Sequence, residues 1–310
     1  MARVGIKEAK TRILDLIGNT PLIELGKVAA DLRGVTLMAK AEFLNPSGSV
    51  KDRAALAMTL DGIRRGALTK DKILIDATSG NTGISYSMIG AALGYHVTLF
   101  MPQNTSRERK AMILGYGAKI VETSPLDGSD GAYLAAKAAV GEDPDRFFYP
   151  DQYNNGENPK THYETTGVEI WEQSGRGATH FISGMGTSGT FMGVSRRLKD
   201  FDAGIRTIAV QPNSPLHGIE GTKHMGSTIR PGFYDERMID GVITVSTEAA
   251  YAMTRRLART EGLFVGISSG ANVAAAIDLA RTLPEGAVVV TVLCDSGARY
   301  LCDSFWEEEK

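Results

Sequence analysis

Short runs of aliphatic and β-branched residues alternate along the chain with longer segments whose apolar residues recur at helical spacing. The pattern predicts strands at 35–41, 73–77, 96–101, 119–122, 179–183, 205–211, 242–245 and 287–293, and helices at 50–65, 84–93, 106–115, 132–140, 159–173, 189–199, 248–261 and 271–283. Alternation of this kind is typical of parallel sheets with right-handed crossovers. We therefore expect an α/β fold of two domains, each a twisted, mostly parallel sheet flanked by helices, joined near 148–150.

Composition excludes several classes of protein without identifying one. The 310 residues suffice for two domains, and 43% of them are hydrophobic, so a large core is expected. A net charge of −2 and the lack of a basic run with interleaved aromatic residues argue against a nucleic-acid partner. The longest apolar stretch, 287–294, is too short to cross a bilayer, and residues 1–10 lack the apolar core of a signal peptide.

The cysteines and histidines indicate neither a disulfide framework nor a metal site. The chain has two cysteines, Cys294 and Cys302, and five scattered histidines without ligand spacing. We therefore expect a cytoplasmic protein with no metal, no membrane contact and no nucleic acid.

The run 45–53, Asn-Pro-Ser-Gly-Ser-Val-Lys-Asp-Arg, delivers one lysine, Lys51, to the start of a predicted helix. A lysine that is desolvated, or set near positive charge such as a helix N-terminus, loses its proton and can attack a carbonyl. The alternative is a solvated lysine of the first turn that pairs with Asp52, since most lysines lie on the surface.

A second segment, 184–190, follows a short apolar strand and opens a helix, so its backbone N–H groups and hydroxyls converge where a phosphate would bind. Each hydrogen bond to a charged group contributes about 1.5–3 kcal/mol, so several donors can hold the anion without a lysine. Gly184, Gly186 and Gly189 match the spacing of a dinucleotide fingerprint. We reject that interpretation because the next strand ends in Gln211-Pro212 instead of an acidic residue. No Walker-type nucleotide loop occurs either.

A third segment, 78–83, lies between a predicted strand and a predicted helix and has the sequence Thr-Ser-Gly-Asn-Thr-Gly. Hydroxyls and free N–H groups at such a turn form a site for a carboxylate. An ordinary capped helix is the alternative, because Ser, Thr and Asn are preferred caps.

With these segments in view, the chain resembles the cysteine synthase (O-acetylserine sulfhydrylase) and cystathionine β-synthase family of fold-type II pyridoxal-phosphate enzymes, which share a tryptophan synthase β-like fold. The resemblance covers nearly the whole chain and rests on ordered matches at 17–22, 45–53, 78–83, 101–102, 151–153, 165–171, 186–190 and 266–270. The C-terminal segment 293–301 resembles the B-type branch of cysteine synthases, in which an aspartate, here Asp295, tends to replace a serine near the active site.

The resemblance implies pyridoxal 5′-phosphate as cofactor and assigns a role to each motif. Lys51 would form the Schiff base with the cofactor and later move protons at the substrate Cα. Asn81 would hydrogen-bond the ring hydroxyl, and Ser268 would face the pyridine nitrogen. The substrate carboxylate would bind Thr78, Ser79, Thr82 and Gln152, and the cofactor phosphate would bind Gly186, Thr187, Ser188, Gly189 and Thr190. Ser188 replaces a glycine common in the family, which puts the fine geometry of the loop in question.

Ser268 has a consequence for the reaction, because a neutral hydroxyl cannot keep the ring nitrogen protonated as an aspartate would. The ring is then a weaker electron sink, which favours β-elimination and β-replacement over transamination. The alternative for 268–270 is a helix N-cap ahead of 271–283, and one serine of the pair Ser268 and Ser269 could cap while the other serves the ring.

The resemblance also implies a domain arrangement that the pattern alone does not show. A smaller mobile domain, 46–149, would bind the substrate carboxylate, and 1–45 with 150–310 would form a larger domain for the cofactor phosphate. It further implies a homodimer, and it leaves open whether the C-terminus of a serine acetyltransferase docks in the cleft.

Residues 213–234 lack periodicity and are rich in Gly, Pro, Ser and His, which predicts a long ordered loop that carries specificity. By the resemblance, residues 221–225 lie where B-type cysteine synthases have a pair of arginines and where phosphoserine-using relatives have one arginine. Lys223 or His224 could therefore meet an anionic leaving group or sulfur donor. Solvated loop charges are the alternative.

The expected activity is synthesis of L-cysteine from O-acetylserine and sulfide through an α-aminoacrylate. Three alternatives stay open. The first is a cysteine synthase that uses O-phosphoserine or thiosulfate. The second is a cystathionine β-synthase that condenses serine with homocysteine. The third belongs to another class, a catalytically silent binding partner, against which the retention of Lys51, Asn81 and Ser268 argues.

Overall fold

The computed structural model describes residues 12–78 and 80–307. Its strands are β1 Leu22–Glu24, β2 Thr36–Ala41, β3 Ile73–Ala77, β4 His96–Pro102, β5 Lys119–Thr123, β6 Phe147–Phe148, β7 His180–Gly184, β8 Arg206–Pro212, β9 Gly241–Val245 and β10 Val288–Leu293. Its α-helices are α1 Lys51–Arg64, α2 Asn81–Leu93, α3 Arg107–Gly115, α4 Gly128–Glu142, α5 Glu157–Thr161, α6 Gly167–Gln173, α7 Gly189–Phe201, α8 Thr247–Arg256 and α9 Ile267–Ala280. Short 3₁₀ turns lie at Ile13–Leu16, Glu42–Leu44, Glu236–Met238, Gly297–Tyr300 and Ser304–Trp306.

The strands form two sheets. A six-stranded sheet has the order β1-β2-β10-β7-β8-β9, and a four-stranded sheet has the order β5-β4-β3-β6. All neighbouring pairs are parallel except β1 with β2. The predicted α/β fold with two mostly parallel sheets is thereby confirmed.

Strands β1 and β2 form one edge of the six-stranded sheet, where β2 pairs with β10. The four-stranded sheet contains only strands that lie between residues 73 and 148. One apolar core, which includes Leu74, Ile84 and Leu99, packs on the smaller sheet. Two others, around Ile182 and Val273 and around Phe181, pack on the larger sheet. The predicted domain limits, 46–149 against 1–45 and 150–310, stay a prediction.

Several predicted boundaries shift in a way that affects the site. Helix α2 begins at Asn81 and helix α9 at Ile267, both earlier than predicted, so Asn81 and Ser268 lie in first helical turns. The helix predicted at 159–173 is interrupted by a π-helical turn, His162–Thr166, and the one at 248–261 ends in a second π turn, Leu257–Glu261.

The predicted long loop is confirmed, because the segment between Pro212 and Glu236 contains neither a helix nor a strand. Among the helices that the structure describes, none is long and apolar enough to cross a membrane.

Candidate active site

Lys51 is the first residue of α1, and a turn of small residues places it beside the end of β10. Gly48 adopts a φ of 89°, a left-handed conformation that favours glycine, and Val50 N–H donates to the Cys294 carbonyl at 2.9 Å. The Lys51 side chain lines a cleft at this junction. Burial lowers the pKa of the Lys51 amine below its ordinary range, whereas Cys294 and Asp295 oppose this shift.

The alternative interpretation of Lys51, a solvated partner of Asp52, is wrong. Asp52 is fully buried and accepts hydrogen bonds from Ser47 N–H at 2.7 Å and from the Ser85 hydroxyl at 2.6 Å. Within 12–78 and 80–307, no ion pair joins Asp52 to Lys51. The carboxylate therefore holds the turn that precedes Lys51, and the amine is left facing the cleft.

The glycine-rich segment after β7 forms one wall of the cleft, which Gly186, Thr187, Ser188, Gly189 and Thr190 all line. A Cβ at Gly186 would overlap the carbonyl oxygen of Gly221, so only glycine fits there. Helix α7 begins directly after Ser188 and points its N-terminus and free N–H groups at the cleft. This wall therefore has the geometry of a phosphate site.

Ser188 adopts a φ of 63°, a left-handed conformation that costs a residue with a Cβ about 1–2 kcal/mol. Its hydroxyl donates to the Thr187 carbonyl at 2.6 Å. The loop thus keeps a glycine-like backbone although a serine occupies the position, which answers the question that the sequence raised about its geometry.

The segment 78–83 forms the opposite wall. The Thr78 hydroxyl oxygen accepts from the N–H groups of Gly80 at 3.0 Å and Gly83 at 3.2 Å, so it stabilises the start of α2 and also lines the cleft. Capping and ligand binding are therefore compatible at this turn. Ser79, the fourth predicted carboxylate ligand, lies outside the described residues.

The Gln152 side chain connects the end of β3 to the first turn of α2. Its amide nitrogen donates to the Ala77 carbonyl at 2.9 Å, and its amide oxygen accepts from the Thr82 hydroxyl at 2.8 Å. Both Gln152 and Thr82 line the cleft and are buried. The structure brings three predicted carboxylate ligands, Thr78, Thr82 and Gln152, to one place.

Asn81 and Asp295 form a pair at the base of the cleft. Asn81 Nδ2 donates to Asp295 Oδ2 at 2.7 Å, and the Tyr300 hydroxyl donates to the same oxygen at 2.8 Å. Asn81 Oδ1 is buried and has no hydrogen-bond partner among the described residues. A buried acceptor left unpaired in the cleft that Lys51 also lines fits the ring hydroxyl of pyridoxal phosphate, which would donate to it.

Ser268 lines the cleft from the first turn of α9. The prediction that Ser268 or Ser269 caps this helix is wrong, because the N-cap is Gly266 without a side-chain hydrogen bond, and Ser269 Oγ instead accepts from Cys294 N–H at 2.8 Å. Burial raises the pKa of the Cys294 thiol to about 11, so it is neutral beside Ser268 and Lys51. Ser268 and Cys294 thus present neutral groups to the cleft.

Of the two candidates in the loop 213–234, only Lys223 lines the cleft. Its ammonium lies 4.4 Å from the centre of the Tyr153 ring, a cation–π contact, and burial lowers its pKa. His224 Nδ1 is 3.0 Å from the Ser227 hydroxyl, within the same loop. The structure therefore places Lys223 in the cleft and His224 in a contact within its own loop.

Sequence reasoning missed several residues of the cleft, among them Arg109, Glu220 and Tyr300. Arg109 on α3 is 5% exposed, pairs with Glu220 and stacks over the Tyr300 ring at 4.9 Å. No local pattern marks such a contact, because its partners come from distant parts of the chain.

The arrangement combines a desolvated amine, a wall of N–H groups and hydroxyls suited to a phosphate, and a second wall suited to a carboxylate. Such a cleft can hold a phosphorylated aldehyde through the amine and the first wall. It can place an amino acid against the second wall. Its chemistry would take place at the substrate carbons next to the amine.

The comparisons with known proteins agree with this geometry. Residues 13–295 match the model of the family described as pyridoxal-phosphate dependent enzyme. The chain is 49% identical to the cysteine synthase of Aquifex aeolicus over 98% of its own length and 94% of that protein, and 42% identical to cysteine synthase B of Pseudomonas aeruginosa over 95% and 97%. The crystal structure of cysteine synthase from Entamoeba histolytica superposes with a TM-score of 0.91 at 33% identity, covering 100% of this chain and 94% of the other.

Proposed function

The chain belongs to the family of pyridoxal-phosphate dependent enzymes, and on this premise we propose that it makes L-cysteine by β-replacement, with O-acetylserine as donor and sulfide as nucleophile. One observation carries the proposal. The amine of Lys51 lies in a single cleft between a wall suited to the cofactor phosphate and a wall suited to an amino-acid carboxylate. The cysteine synthases of Aquifex and Pseudomonas support the choice of product.

The residues of the two walls have defined tasks in this proposal. The phosphate binds the N–H groups of Gly186, Thr187, Ser188, Gly189 and Thr190 and the hydroxyls of Thr187 and Thr190, and the substrate carboxylate binds Thr78, Ser79, Thr82 and Gln152. Asn81 Oδ1 accepts the hydrogen of the ring hydroxyl. Bound pyridoxal phosphate withdraws electrons from the substrate Cα.

Lys51 moves the proton. Because burial lowers its pKa, the amine is available in its neutral form to take the proton from Cα as acetate leaves Cβ. It returns the proton to Cα after sulfide adds to Cβ. Ser268, which would face the ring nitrogen, and Cys294 beside it are neutral, so they would not keep that nitrogen protonated, which favours loss of the Cβ substituent.

Steady-state assays of the holoenzyme test the proposal. O-acetylserine, O-phosphoserine and serine are each combined with sulfide, thiosulfate and homocysteine. We expect O-acetylserine with sulfide to give the largest kcat/KM. A preference for serine with homocysteine would make the protein a cystathionine β-synthase, and no turnover with any pair would make it a silent binding partner.

A second candidate has one specific observation in its favour. Lys223 lines the cleft, so an anionic donor such as O-phosphoserine or an anionic sulfur source such as thiosulfate would meet a positive charge there. A lysine gives less bidentate selectivity than an arginine, which is why O-acetylserine remains the first choice.

Three further proposals rest on the family. We propose that residues 46–149 form a smaller domain that closes on the substrate. We also propose that the protein is a cytoplasmic homodimer and that its cleft accepts the C-terminus of a serine acetyltransferase.

Sedimentation equilibrium of the holoenzyme tests the dimer. Titration with a C-terminal serine acetyltransferase peptide tests the docking, with a peptide that lacks the last residue as control.

A further inference from the structure

His162 lies directly behind the phosphate wall. It opens the π-helical turn His162–Thr166 between α5 and α6 and is 1% exposed. Turns of this type inside helices often mark functional sites. Helix α7 approaches the turn closely, since a Cβ at Gly193 would lie 2.7 Å from the His162 Cβ.

Both ring nitrogens of His162 meet threonine hydroxyls. Nδ1 is 2.9 Å from Thr166 Oγ1, and Nε2 is 3.2 Å from Thr190 Oγ1. Thr166 is fully buried, whereas Thr190 lies in the first turn of α7 and lines the cleft. The imidazole therefore bridges a buried hydroxyl to one of the five residues proposed to bind the phosphate.

The ring carries one N–H at neutral pH, because burial, helped by Arg53, lowers the pKa of His162 to about 3. Two tautomers remain, and they differ in what Thr190 can do. A hydrogen on Nδ1 would make Nε2 an acceptor, which would bind the single hydroxyl hydrogen of Thr190 and turn it away from the cleft. A hydrogen on Nε2 donates to Thr190 Oγ1 and leaves the hydroxyl hydrogen free for an anion.

Asn158 makes the same kind of contact with the neighbouring threonine. Its Nδ2 donates to the Gln152 carbonyl at 2.8 Å, which fixes the amide orientation, and to Thr187 Oγ1 at 3.1 Å. The Thr187 hydroxyl oxygen thus accepts a hydrogen bond from Asn158, and its own hydrogen is free to bind an anion in the cleft. The hydroxyl of Ser188, by contrast, is spent on the Thr187 carbonyl at 2.6 Å.

We propose that His162 is a positioning residue which, as the Nε2–H tautomer, donates to Thr190 Oγ1 while accepting from Thr166, so that the Thr190 hydroxyl is an obligate donor to the cofactor phosphate. The inference rests on the proposed function, because it takes the phosphate to bind at this wall. This role would also explain the π turn, because the turn places the His162 imidazole against the first turn of α7.

Binding of two probes separates this role from a structural one. Equilibrium dialysis of apoprotein with pyridoxine 5′-phosphate, which has no aldehyde and cannot bond to Lys51, reports the phosphate site. Pyridoxine, which lacks the phosphate, is the control ligand. His162→Gln retains an N–H donor at about the position of Nε2, whereas the shorter amide of His162→Asn reaches only the position of Nδ1.

We expect His162→Asn to weaken pyridoxine 5′-phosphate about ten- to a hundredfold, the loss of one hydrogen bond to a charged group. His162→Gln should stay within about threefold of wild type, and pyridoxine binding should be unchanged in both. His180→Asn is the matched control, because His180 Nδ1 is also 2.9 Å from a threonine hydroxyl, that of Thr179, but lies away from the cleft. It should leave both probes unaffected.

Nitrogen-15 NMR of histidine-labelled wild type gives a second readout that needs no variant to fold. We expect a protonated Nε2 and an unprotonated Nδ1 for His162. A protonated Nδ1, or equal losses in His162→Asn and His162→Gln, would overturn the role of His162. Failure of the wild type to bind pyridoxine 5′-phosphate at all would instead overturn the proposed phosphate site.

Discussion

Arg109 and Glu220 form an ion pair across the cleft, joining helix α3 beside the four-stranded sheet to the loop that follows β8 of the six-stranded sheet. The Arg109 side chain is 6% exposed and that of Glu220 is 47% exposed. The pair therefore joins the two proposed domains across the cleft.

Glu220→Gln should loosen the contact across the cleft without unfolding the protein. A half-exposed pair contributes about 1 kcal/mol or less to stability, so the change should be seen mainly as a several-fold higher KM for O-acetylserine. Steady-state kinetics and urea unfolding measure the two effects. Glu122→Gln is the matched control, because Glu122 also pairs with α3, through Lys110 at 2.6 Å, and is 46% exposed. A KM equally changed in both variants would contradict the role of Glu220.

Ser188 should tolerate glycine better than a branched residue. Its left-handed backbone strains any residue that has a Cβ, and most of all a β-branched one. We expect Ser188→Val to be less stable than Ser188→Gly by about 1–2 kcal/mol in urea unfolding, with cofactor affinity retained in the glycine variant. Equal stability of the two variants would show that the loop does not hold this conformation in solution.

Gln152→Ala should lower turnover as well as affinity. The side chain connects the Ala77 carbonyl to the Thr82 hydroxyl, so its loss disturbs the carboxylate wall and the closure that depends on it. We expect kcat/KM for O-acetylserine to fall about ten- to a hundredfold, with bound cofactor unchanged by absorbance. Gln103→Ala, an exposed glutamine after β4, is the control. Lost cofactor with normal substrate kinetics would remove Gln152 from the substrate site.

Lys223→Ala should distinguish the donors. A charge-assisted contact of about 1.5–3 kcal/mol to a phosphate leaving group would be lost, whereas a neutral acetyl ester has no such contact. Activity with O-phosphoserine should therefore fall about ten- to a hundredfold, while activity with O-acetylserine stays nearly constant. His224→Ala is the control, since its ring contacts Ser227 in the same loop. Equal losses with both donors would show that Lys223 only supports the loop.

Much of the fold could be predicted from the sequence, because the long segments with clear periodicity form helices and strands at the expected positions. It missed β1 and β6, which are three and two residues long and depend on pairing with β2 and β3. It also placed the start of α2 after Gly83. Asn, Thr and Gly at 81–83 are poor helix formers. The Thr78 hydroxyl oxygen accepts hydrogen bonds from backbone N–H groups at the start of the helix, which stabilises this first turn.

The motifs of the site could be read from the sequence because each is local. The contacts behind them could not, since His162 and Thr190, or Arg109 and Glu220, meet only in the folded chain. Ser188 shows a related limit. Sequence marked it as a departure from glycine, and only the backbone shows that it keeps the left-handed conformation.

We propose that Lys51 holds the cofactor covalently. Borohydride reduction of the holoenzyme followed by peptide mapping tests it most directly, with Lys51→Arg as a control that should take up no label. We expect a pyridoxyl phosphate label on Lys51. A label on any other lysine would contradict it.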